Sequence, residues 1–267
     1  EPPTADPQLV TDTTSAEVVH NTFISLTRLD QVTAEVLPWL ATDWAEGTDA
    51  DGNQTWTFNL RDDVKWVQWD NDSQAIVEVT DGDGNPRMVM PSDVEFGVKR
   101  ALDPNTASQY GYLLFGIKNA EPVYSGDEEL TLDDVGVSCD DEALTCTFTL
   151  ESPAPWFPSI VTMPTATPVL ADTIDSYGDN WTEPGLMTSS GAYVMSSWIH
   201  GSSMQLVKNP FWIDADSVQI EVVDYDMVVE ASTAFAMYEN NELDTGGVPL
   251  EEMDRVKADP VLSAEYV

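Results

Sequence analysis

The clearest periodic pattern of the chain lies between residues 54 and 60. Trp56, Phe58 and Leu60 alternate there with polar residues, and this period of two is typical of a strand with one buried face. An apolar segment at residues 37–44 precedes it and is separated from it by the turn-rich residues 46–53. The pattern therefore predicts two strands joined as a hairpin.

A helix is predicted some thirty residues further on. Ser92 stands three residues before Glu95, which is the spacing of a capping box. Apolar residues then recur at helical intervals from Val94 to Leu102. Pro104 ends the helix, because the residue before a proline avoids the α region.

Other elements follow from the same rules. A helix that begins at Ser15 or Ala16 has an apolar stripe from Val18 to Leu26. We also expect a strand at 76–80, a strand at 218–223 and a helix at 229–238. This mixture of helices and strands predicts an α/β fold.

The two cysteines lie in a predicted hairpin within residues 132–150. A two-residue turn at Glu142 and Ala143 would place Cys139 and Cys146 opposite each other, near the separation that a disulfide needs. A disulfide would favour an exported protein. Two buried free thiols are the alternative.

The composition is that of a globular but very acidic protein. The 267 residues include 42% hydrophobic residues and nine Trp, so the chain can bury a core and is long enough for more than one structural unit. Lys and Arg total 10 against 48 Asp and Glu, which gives a net charge of −38. Such a surface repels nucleic acid and anionic lipid head groups, so neither is an expected partner.

Two explanations of the acidity stay open. Charge keeps an exported protein soluble, and an acidic surface also suits molar salt, where screening within about 3 Å removes self-repulsion. No run of about 18 apolar residues occurs, so no membrane span is predicted. Residues 1–7 lack the basic and apolar regions of a signal peptide, so an exported protein would have lost its signal.

Residues that carry catalytic or metal chemistry are few. His20 and His200 are the only histidines, and they lack metal-ligand spacing. No motif of a nucleophile elbow, a zinc protease or a phosphate-binding loop occurs. Residues 49–53 and 81–85 carry alternating Asp and Asn oxygens but not the glycine and glutamate of a calcium loop. We therefore expect no enzyme, no cofactor and no metal site.

Four motifs carry a family resemblance. They are W-T-F-N-L-R-D-D-V-K-W from residue 56, S-D-V-E-F-G-V-K-R-A-L-D-P-N-T-A-S from residue 92, T-S-S-G-A-Y at residues 188–193 and N-P-F-W at residues 209–212. In this order and spacing the chain resembles the peptide-type solute-binding proteins of ABC importers, the oligopeptide- and dipeptide-binding family. Residues 67–87 depart from it, because they form a longer acidic segment than family members have.

The resemblance implies a periplasmic-binding-protein-like fold of type II, the peptide-binding class. Residues 1–25 and 168–267 would form a discontinuous α/β lobe I, and residues 26–167 an inserted α+β domain. Family members are considerably longer. We therefore expect the second lobe to be absent from this chain, which stops near the hinge crossing.

The resemblance also implies residues that bind the ligand. Thr11, Asp12 and Thr13 fall on the loop between strand and helix that faces the ligand in the family. Tyr110 occupies the place of a ligand-contacting aromatic residue after the T-A-S motif. The alternatives are an ordinary connection for the loop and a core or surface position for the tyrosine.

Gly246 and Gly247 fall where family members present backbone to the ligand. By this resemblance the protein captures peptides outside the cytoplasm, as a monomer that is either free or lipid-anchored, and delivers them to an ABC permease in the membrane. An oligosaccharide is the alternative ligand, since some relatives stack sugars on indoles and the chain has nine Trp. A third hypothesis is an interaction module without a role in transport.

Overall fold

The computed structural model describes residues 1–266, which form strands, α-helices and short 3₁₀ turns. The strands are β1 (Thr27–Leu29), β2 (Val36–Pro38), β3 (Ala41–Thr48), β4 (Gln54–Leu60), β5 (Val67–Asp70), β6 (Ala75–Glu78), β7 (Val137–Asp140), β8 (Thr145–Thr149), β9 (Thr188–Ser189), β10 (Tyr193–Ile199), β11 (Ser203–Lys208) and β12 (Val222–Asp226). The helices are α1 (Thr13–Thr22), α2 (Pro91–Leu102), α3 (Ala120–Tyr124), α4 (Phe157–Ile160), α5 (Ala171–Tyr177), α6 (Ala231–Glu239), α7 (Met253–Ala258) and α8 (Leu262–Glu265).

The strands form four small sheets rather than one large one. Their orders are β1-β2, β3-β4-β8-β7, β6-β5-β9 and β10-β11-β12. The pairs β1-β2, β3-β4, β5-β6 and β7-β8 are antiparallel hairpins of consecutive strands. The mixed helix and strand content confirms the predicted α/β class.

By its internal contacts the chain divides into two compact units. Unit 1 comprises Glu1–Trp198 and Gln205–Val223, and unit 2 comprises Ile199–Met204 and the chain from Asp224 onward. The sequence predicts a division with other boundaries, namely a lobe of residues 1–25 and 168–267 and an inserted domain of residues 26–167. It stays a prediction.

The hairpin of β3 and β4 confirms the first sequence prediction. Ala41 pairs with Leu60, and the register runs to Thr48 and Gln54. The predicted strand at residues 37–44 is wrong in one respect, because the chain breaks it into β2 and β3. The Trp39 N–H donates to the Ala41 carbonyl at 2.9 Å, which turns the backbone between the two strands.

Helix α2 begins at a different cap from the predicted one. The Met90 N–H donates to Asp93 Oδ2 at 2.8 Å, so the capping carboxylate is that of Asp93. Ser92 instead donates to Asp141, and Glu95 accepts from the Cys139 N–H at 2.9 Å. The Ser92 and Glu95 capping box is therefore wrong, since both side chains face the neighbouring hairpin. The end of the helix at Leu102 is as predicted.

Asp93 also explains how the acidic segment of residues 67–87 is attached. Its carboxylate accepts from Trp66 Nε1 at 3.0 Å and from Arg87 Nη2 at 2.9 Å. Burial raises the pKa of Asp93, while the hydrogen bonds from Met90 and Trp66 and the charge of Arg87 oppose that rise. The segment thus leaves the core at Trp66, forms β5 and β6, and returns at Arg87 to the same buried carboxylate.

Four further predicted elements are present with shifted bounds. Helix α1 starts at Thr13, earlier than predicted, and ends at Thr22 because Phe23 is extended. The strand expected at 76–80 is β6, and the helix expected at 229–238 is α6. The strand expected at 218–223 is β12, which lies later in the chain.

The cysteine hairpin has a longer loop than the predicted two-residue turn. Asp140 pairs with Thr145, so residues 141–144 form the loop, and Leu144 has a φ of 54°. Cys139 and Cys146 nevertheless lie directly opposite each other, with Cα atoms 4.1 Å apart, and form a disulfide.

A buried ion pair joins the N-terminal segment to α2. Arg100 Nη1 and Nη2 donate to Asp6 Oδ1 and Oδ2 at 2.7 and 2.6 Å. Asp6 also accepts from Trp181 Nε1 at 3.2 Å and from the Gln8 N–H at 3.0 Å. Gln8 in turn donates to the Thr167 carbonyl at 2.9 Å. Three segments of unit 1 therefore meet at the Asp6 carboxylate, and Gln8 joins a fourth at Thr167.

Aspartates also begin the turns of the strand pairs. Each accepts a hydrogen bond from the backbone N–H two residues later at 2.9 to 3.1 Å, the geometry that favours Asp in turns. These residues are Asp30, Asp49, Asp70, Asp81 and Asp140. The Asp-rich loops at 49–53 and 81–85 thus use their oxygens to shape turns. Within residues 1–266 no group of three or more His, Cys, Asp or Glu side chains is arranged to hold a metal ion.

Substitution of Asp6 by Asn is expected to destabilise unit 1 strongly. It would leave the Arg100 guanidinium buried without a charge partner, which typically costs about 3–5 kcal/mol. Urea denaturation followed by tryptophan fluorescence measures this loss. Asp63→Asn, which removes the partly exposed pair with Arg61, is the control and should cost less than about 1 kcal/mol. Equal losses in the two variants would contradict the central role of Asp6.

The aspartates of the two D-x-D-G-N turns should make stability depend on acid pH. Hydrogen bonds from the Asn53 side chain and backbone lower the pKa of Asp49, and those from the Asn85 backbone and side chain lower the pKa of Asp81. Because folding lowers these values below 3.8, the stabilisation is present above that pH and is lost as the pH falls through the lowered values.

This dependence can be measured with a double variant, Asp49→Asn with Asp81→Asn, which keeps a side-chain acceptor in both turns. Between pH 5 and pH 2.5 the variant should lose less unfolding free energy in urea than the unaltered chain. Equal losses of unfolding free energy in the variant and the unaltered chain would show that the two turns do not contribute to the pH dependence.

Candidate functional site

The predicted ligand-binding residues of unit 1 converge on one cavity. Thr11, Asp12, Thr13 and Tyr110 all line a space of about 220 Å³. Its remaining lining residues are Val10, Ala16, His20, Met163, Pro164 and Thr165. The site is therefore built from the start of α1, from the segment before the 3₁₀ turn of residues 111–114, and from the turn that follows α4.

Hydrogen bonds fix two of these side chains. The Tyr110 hydroxyl donates to the Thr11 carbonyl at 3.2 Å, which ties the aromatic ring to the loop before α1. Asp12 Oδ1 accepts from the Ser15 N–H at 2.9 Å and so caps α1. Asp12 Oδ2 is buried and has no hydrogen-bond partner among residues 1–266. An orphan carboxylate oxygen beside a cavity is an acceptor for an N–H or O–H donor of a ligand.

A larger groove adjoins this cavity. It has a volume of about 770 Å³ and shares His20 and Met163 with the smaller space. The Arg28 guanidinium lies 4.2 Å from the ring centre of Trp39 in its wall. Trp212 packs edge-on against Trp39 at 5.4 Å and holds that indole in place.

His20 lies at the junction of the two spaces. Partial burial lowers the pKa of its imidazole below the ordinary value of 6.5, so the side chain is neutral at pH 7. A neutral imidazole offers one donor and one acceptor to a ligand, but no charge.

Gly246 and Gly247 lie in unit 2, where they line a cavity of their own. Its volume is about 270 Å³. Phe235 and Tyr238 stack beside it with ring centres 6.4 Å apart, and the Tyr238 hydroxyl donates to Glu265 at 2.6 Å. No side chain or backbone atom lies within 4 Å of a Cβ built on Gly247. A ligand could reach the backbone at this position, as the sequence interpretation requires.

Sequence reasoning missed several lining residues of the unit 1 cavity. His20 was considered only for catalysis and metal binding, although its spacing of four from Ala16 places both on one face of α1. Residues 163–165 are distant in sequence and give no local signal. They reach the cavity because the chain crosses back beside α1 at that point.

The T-S-S-G-A-Y motif holds the end of α1 in place. The N–H groups of Ser190 and Gly191 both donate to the Thr22 carbonyl, at 3.0 and 2.9 Å. Ser190 Oγ accepts from the Ile24 N–H at 3.2 Å. A Cβ on residue 191 would lie 2.5 Å from the Asn21 carbonyl oxygen, so only glycine allows this approach. The motif therefore positions the helix whose first turn forms the cavity.

A family model described as "Bacterial extracellular solute-binding proteins, family 5 Middle" matches residues 35–266. The chain belongs to this family. Family 5 consists of solute-binding proteins, not enzymes. Within residues 1–266 the helices are all too short or too polar to cross a bilayer.

Individual members of family 5 are similar over almost the whole chain. The probable deoxycholate-binding periplasmic protein YgiS of Escherichia coli is 30% identical over 100% of this chain and 47% of its own length. The oligopeptide-binding protein OppA of Bacillus subtilis is 32% identical over 100% of this chain and 46% of its own. The chain thus spans about half the length of the curated relatives it matches.

A solved structure confirms the fold of this family. The murein tripeptide binding protein MppA of Escherichia coli superimposes with a TM-score of 0.83 and 27% identity, covering 97% of this chain and 47% of MppA. The periplasmic-binding-protein-like fold of the peptide-binding class, predicted from the sequence motifs, is therefore confirmed.

Replacing Gly191 by Ala should destabilise unit 1. The added methyl group would meet backbone atoms of Asn21, Thr22 and Phe23 at 2.5 to 2.7 Å, and overpacking of this kind typically costs about 1–3 kcal/mol. Thermal and urea denaturation measure the change. Gly82→Ala is the control, because its Cβ would have no neighbour within 4 Å and its φ is not in the left-handed region. A loss no larger than that of the control would contradict the tight approach.

Proposed function

We propose that this family 5 protein is the extracytoplasmic solute-binding component of an ABC importer, which captures peptides as a monomer and delivers them to a membrane permease. One observation supports this proposal above all. The same cavity is lined by Thr11, Asp12, Thr13 and Tyr110, and the Oδ2 atom of Asp12 has no hydrogen-bond partner among residues 1–266. Relatives named for binding oligopeptides, dipeptides and murein peptides support this ligand class.

The chemistry of the cavity suits a peptide backbone. Asp12 Oδ2 is an acceptor for an amide N–H or a terminal ammonium group, and the Tyr110 hydroxyl, which donates its proton to the Thr11 carbonyl, can accept a hydrogen bond from a ligand. The adjoining groove gives room for side chains without close complementarity. Backbone hydrogen bonds with loosely held side chains give affinity for many peptide sequences.

An oligosaccharide is less well supported. Sugar binding needs indole faces exposed along a groove, yet Trp39 is the one tryptophan among the described residues that line the 770 Å³ space, and Arg28 already covers one face of it. Trp56, Trp66, Trp181 and Trp212 are buried in unit 1. We therefore retain peptide as the proposed ligand.

Peptide titrations test the proposal directly. Tetra-alanine should bind the purified chain and shift the NMR resonances of residues at the unit 1 cavity, whereas cellotetraose at equal concentration should not. NMR is suited to this experiment because it measures dissociation constants up to the millimolar range. Binding of the sugar alone, or of neither probe, would overturn the proposed function.

Asp12→Asn and Tyr110→Phe should each weaken tetra-alanine binding about tenfold. The first replaces the orphan acceptor by an amide while keeping a cap for α1, and the second removes one hydroxyl. A hydrogen bond to a charged group is typically worth about 1.5–3 kcal/mol. Tyr112→Phe is the matched control, because that ring packs on Tyr110 at 5.8 Å but is exposed. Unchanged affinity in both site variants would contradict the assignment.

A further inference from the structure

We infer that Arg28 forms a subsite for a carboxylate of the bound peptide in the 770 Å³ groove. The inference rests on the proposed peptide-binding function and adds a specificity-determining residue to it. The groove adjoins the cavity of Asp12 and Tyr110, so one extended ligand can occupy both spaces.

Arg28 differs from the other basic residues of unit 1 in having no acidic partner. Among residues 1–266 no carboxylate oxygen lies within 4.0 Å of its guanidinium. Every other Lys or Arg of unit 1 has such a partner, namely Arg61, Lys65, Arg87, Lys99, Arg100, Lys118 and Lys208. In a chain with 48 Asp and Glu and only 10 Lys and Arg, an unpaired cation is exceptional.

The Arg28 guanidinium is nevertheless held in position by an aromatic contact. The guanidinium stacks on Trp39 at 4.2 Å, and Trp212 supports that indole from the side at 5.4 Å. A guanidinium over an aromatic ring keeps five N–H donors, and none of those of Arg28 meets a carboxylate within 4.0 Å among residues 1–266. Carboxylates match this fork with two parallel hydrogen bonds.

Asp30 is the acidic residue among the described groove-lining residues, and the charge of Arg28 is the smallest of the contributions that lower its pKa, after the hydrogen bonds of its own turn. Asp30 Oδ1 accepts from the N–H groups of Val32 and Thr33 at 2.9 and 2.8 Å and from the Thr33 hydroxyl at 3.1 Å. Its carboxylate is thus engaged in the turn between β1 and β2. Arg28 is the one Lys or Arg among the described residues that line the groove.

The two spaces carry complementary groups for a short zwitterionic peptide. Asp12 offers a negative acceptor at the start of α1, and His20 at the junction follows roughly two helical turns later, about 12 Å along the axis. An extended peptide covers that length in about three to four residues. The opposite charges of Asp12 and Arg28 favour the peptide's amino end at Asp12 and its carboxylate towards Arg28.

The local cation matters because the surface as a whole repels anions. A net charge of −38 disfavours the approach of any carboxylate. A free peptide carries one at its C-terminus, and acidic side chains add others. Arg28 would offset this repulsion for either kind of carboxylate at one place in the groove.

Three tetrapeptides test the subsite by NMR titration of the purified chain. They are tetra-alanine with a free carboxylate, the same peptide as its C-terminal amide, and Ala-Ala-Glu-Ala amide. The free acid should bind about tenfold more tightly than the amide, in keeping with a charge-assisted hydrogen bond. If the glutamate peptide recovers this affinity, the subsite accepts a side-chain carboxylate; if it does not, the subsite is specific for the C-terminus.

Variants assign the effect to one residue. Arg28→Gln should remove the difference between acid and amide, and Arg28→Lys should retain part of it, because lysine keeps the charge but not the fork. Arg61→Gln is the matched control, since it removes the same charge from unit 1 outside the groove. It should leave the acid and amide affinities in their original ratio.

The outcomes separate this inference from the function on which it rests. Equal binding of acid and amide, or an equal effect of Arg28→Gln and Arg61→Gln, would overturn the subsite while leaving peptide binding in place. Failure of all three peptides to bind would overturn the proposed function itself.

Discussion

The bidentate pair of Asp6 and Arg100 is the contact on which the arrangement of unit 1 depends. Asp6 is buried and the Arg100 side chain is only 15% exposed, so neither charge can be left alone without a large penalty. Through Gln8 and Trp181 the same carboxylate gathers the N-terminal segment, α2 and two later crossings of the chain. The loop of residues 11–13 follows this anchor within a few residues. Its position at the cavity is therefore set by an ion pair that lies outside the cavity lining.

The acidity of the chain has a local structural use as well as a global electrostatic effect. Aspartates open the turns of the strand pairs and hold them with backbone hydrogen bonds, as Asp49 and Asp81 do. Almost all of the few Lys and Arg side chains of unit 1 form ion pairs. Arg28, which lies over Trp39 and forms no ion pair within 4.0 Å among residues 1–266, is therefore an exception in unit 1.

The candidate site combines rigid and open parts in a way that suits a binding protein. Asp12 serves twice, since one oxygen caps α1 and the other faces no partner within residues 1–266. Tyr110 is held by its hydrogen bond to the Thr11 carbonyl, and the Gly191 N–H donates to the Thr22 carbonyl at the C-terminal end of α1. Groups fixed in this manner lose little conformational freedom when a ligand arrives, so more of the contact energy appears as affinity.

Sequence patterns by themselves determined the local elements and the family, and they predicted part of the candidate site. Alternation predicted β4, the Pro104 signal predicted the end of α2, and the hairpin pattern placed Cys139 opposite Cys146. These features depend on neighbours in sequence, which a linear pattern records. The cap of α2 was decided by tertiary structure, because Trp66 and Arg87 hold the Asp93 carboxylate that also accepts from the Met90 N–H. The meeting of His20 with Met163, and the stacking of Arg28 on Trp39, likewise join segments whose proximity only the packed chain determines.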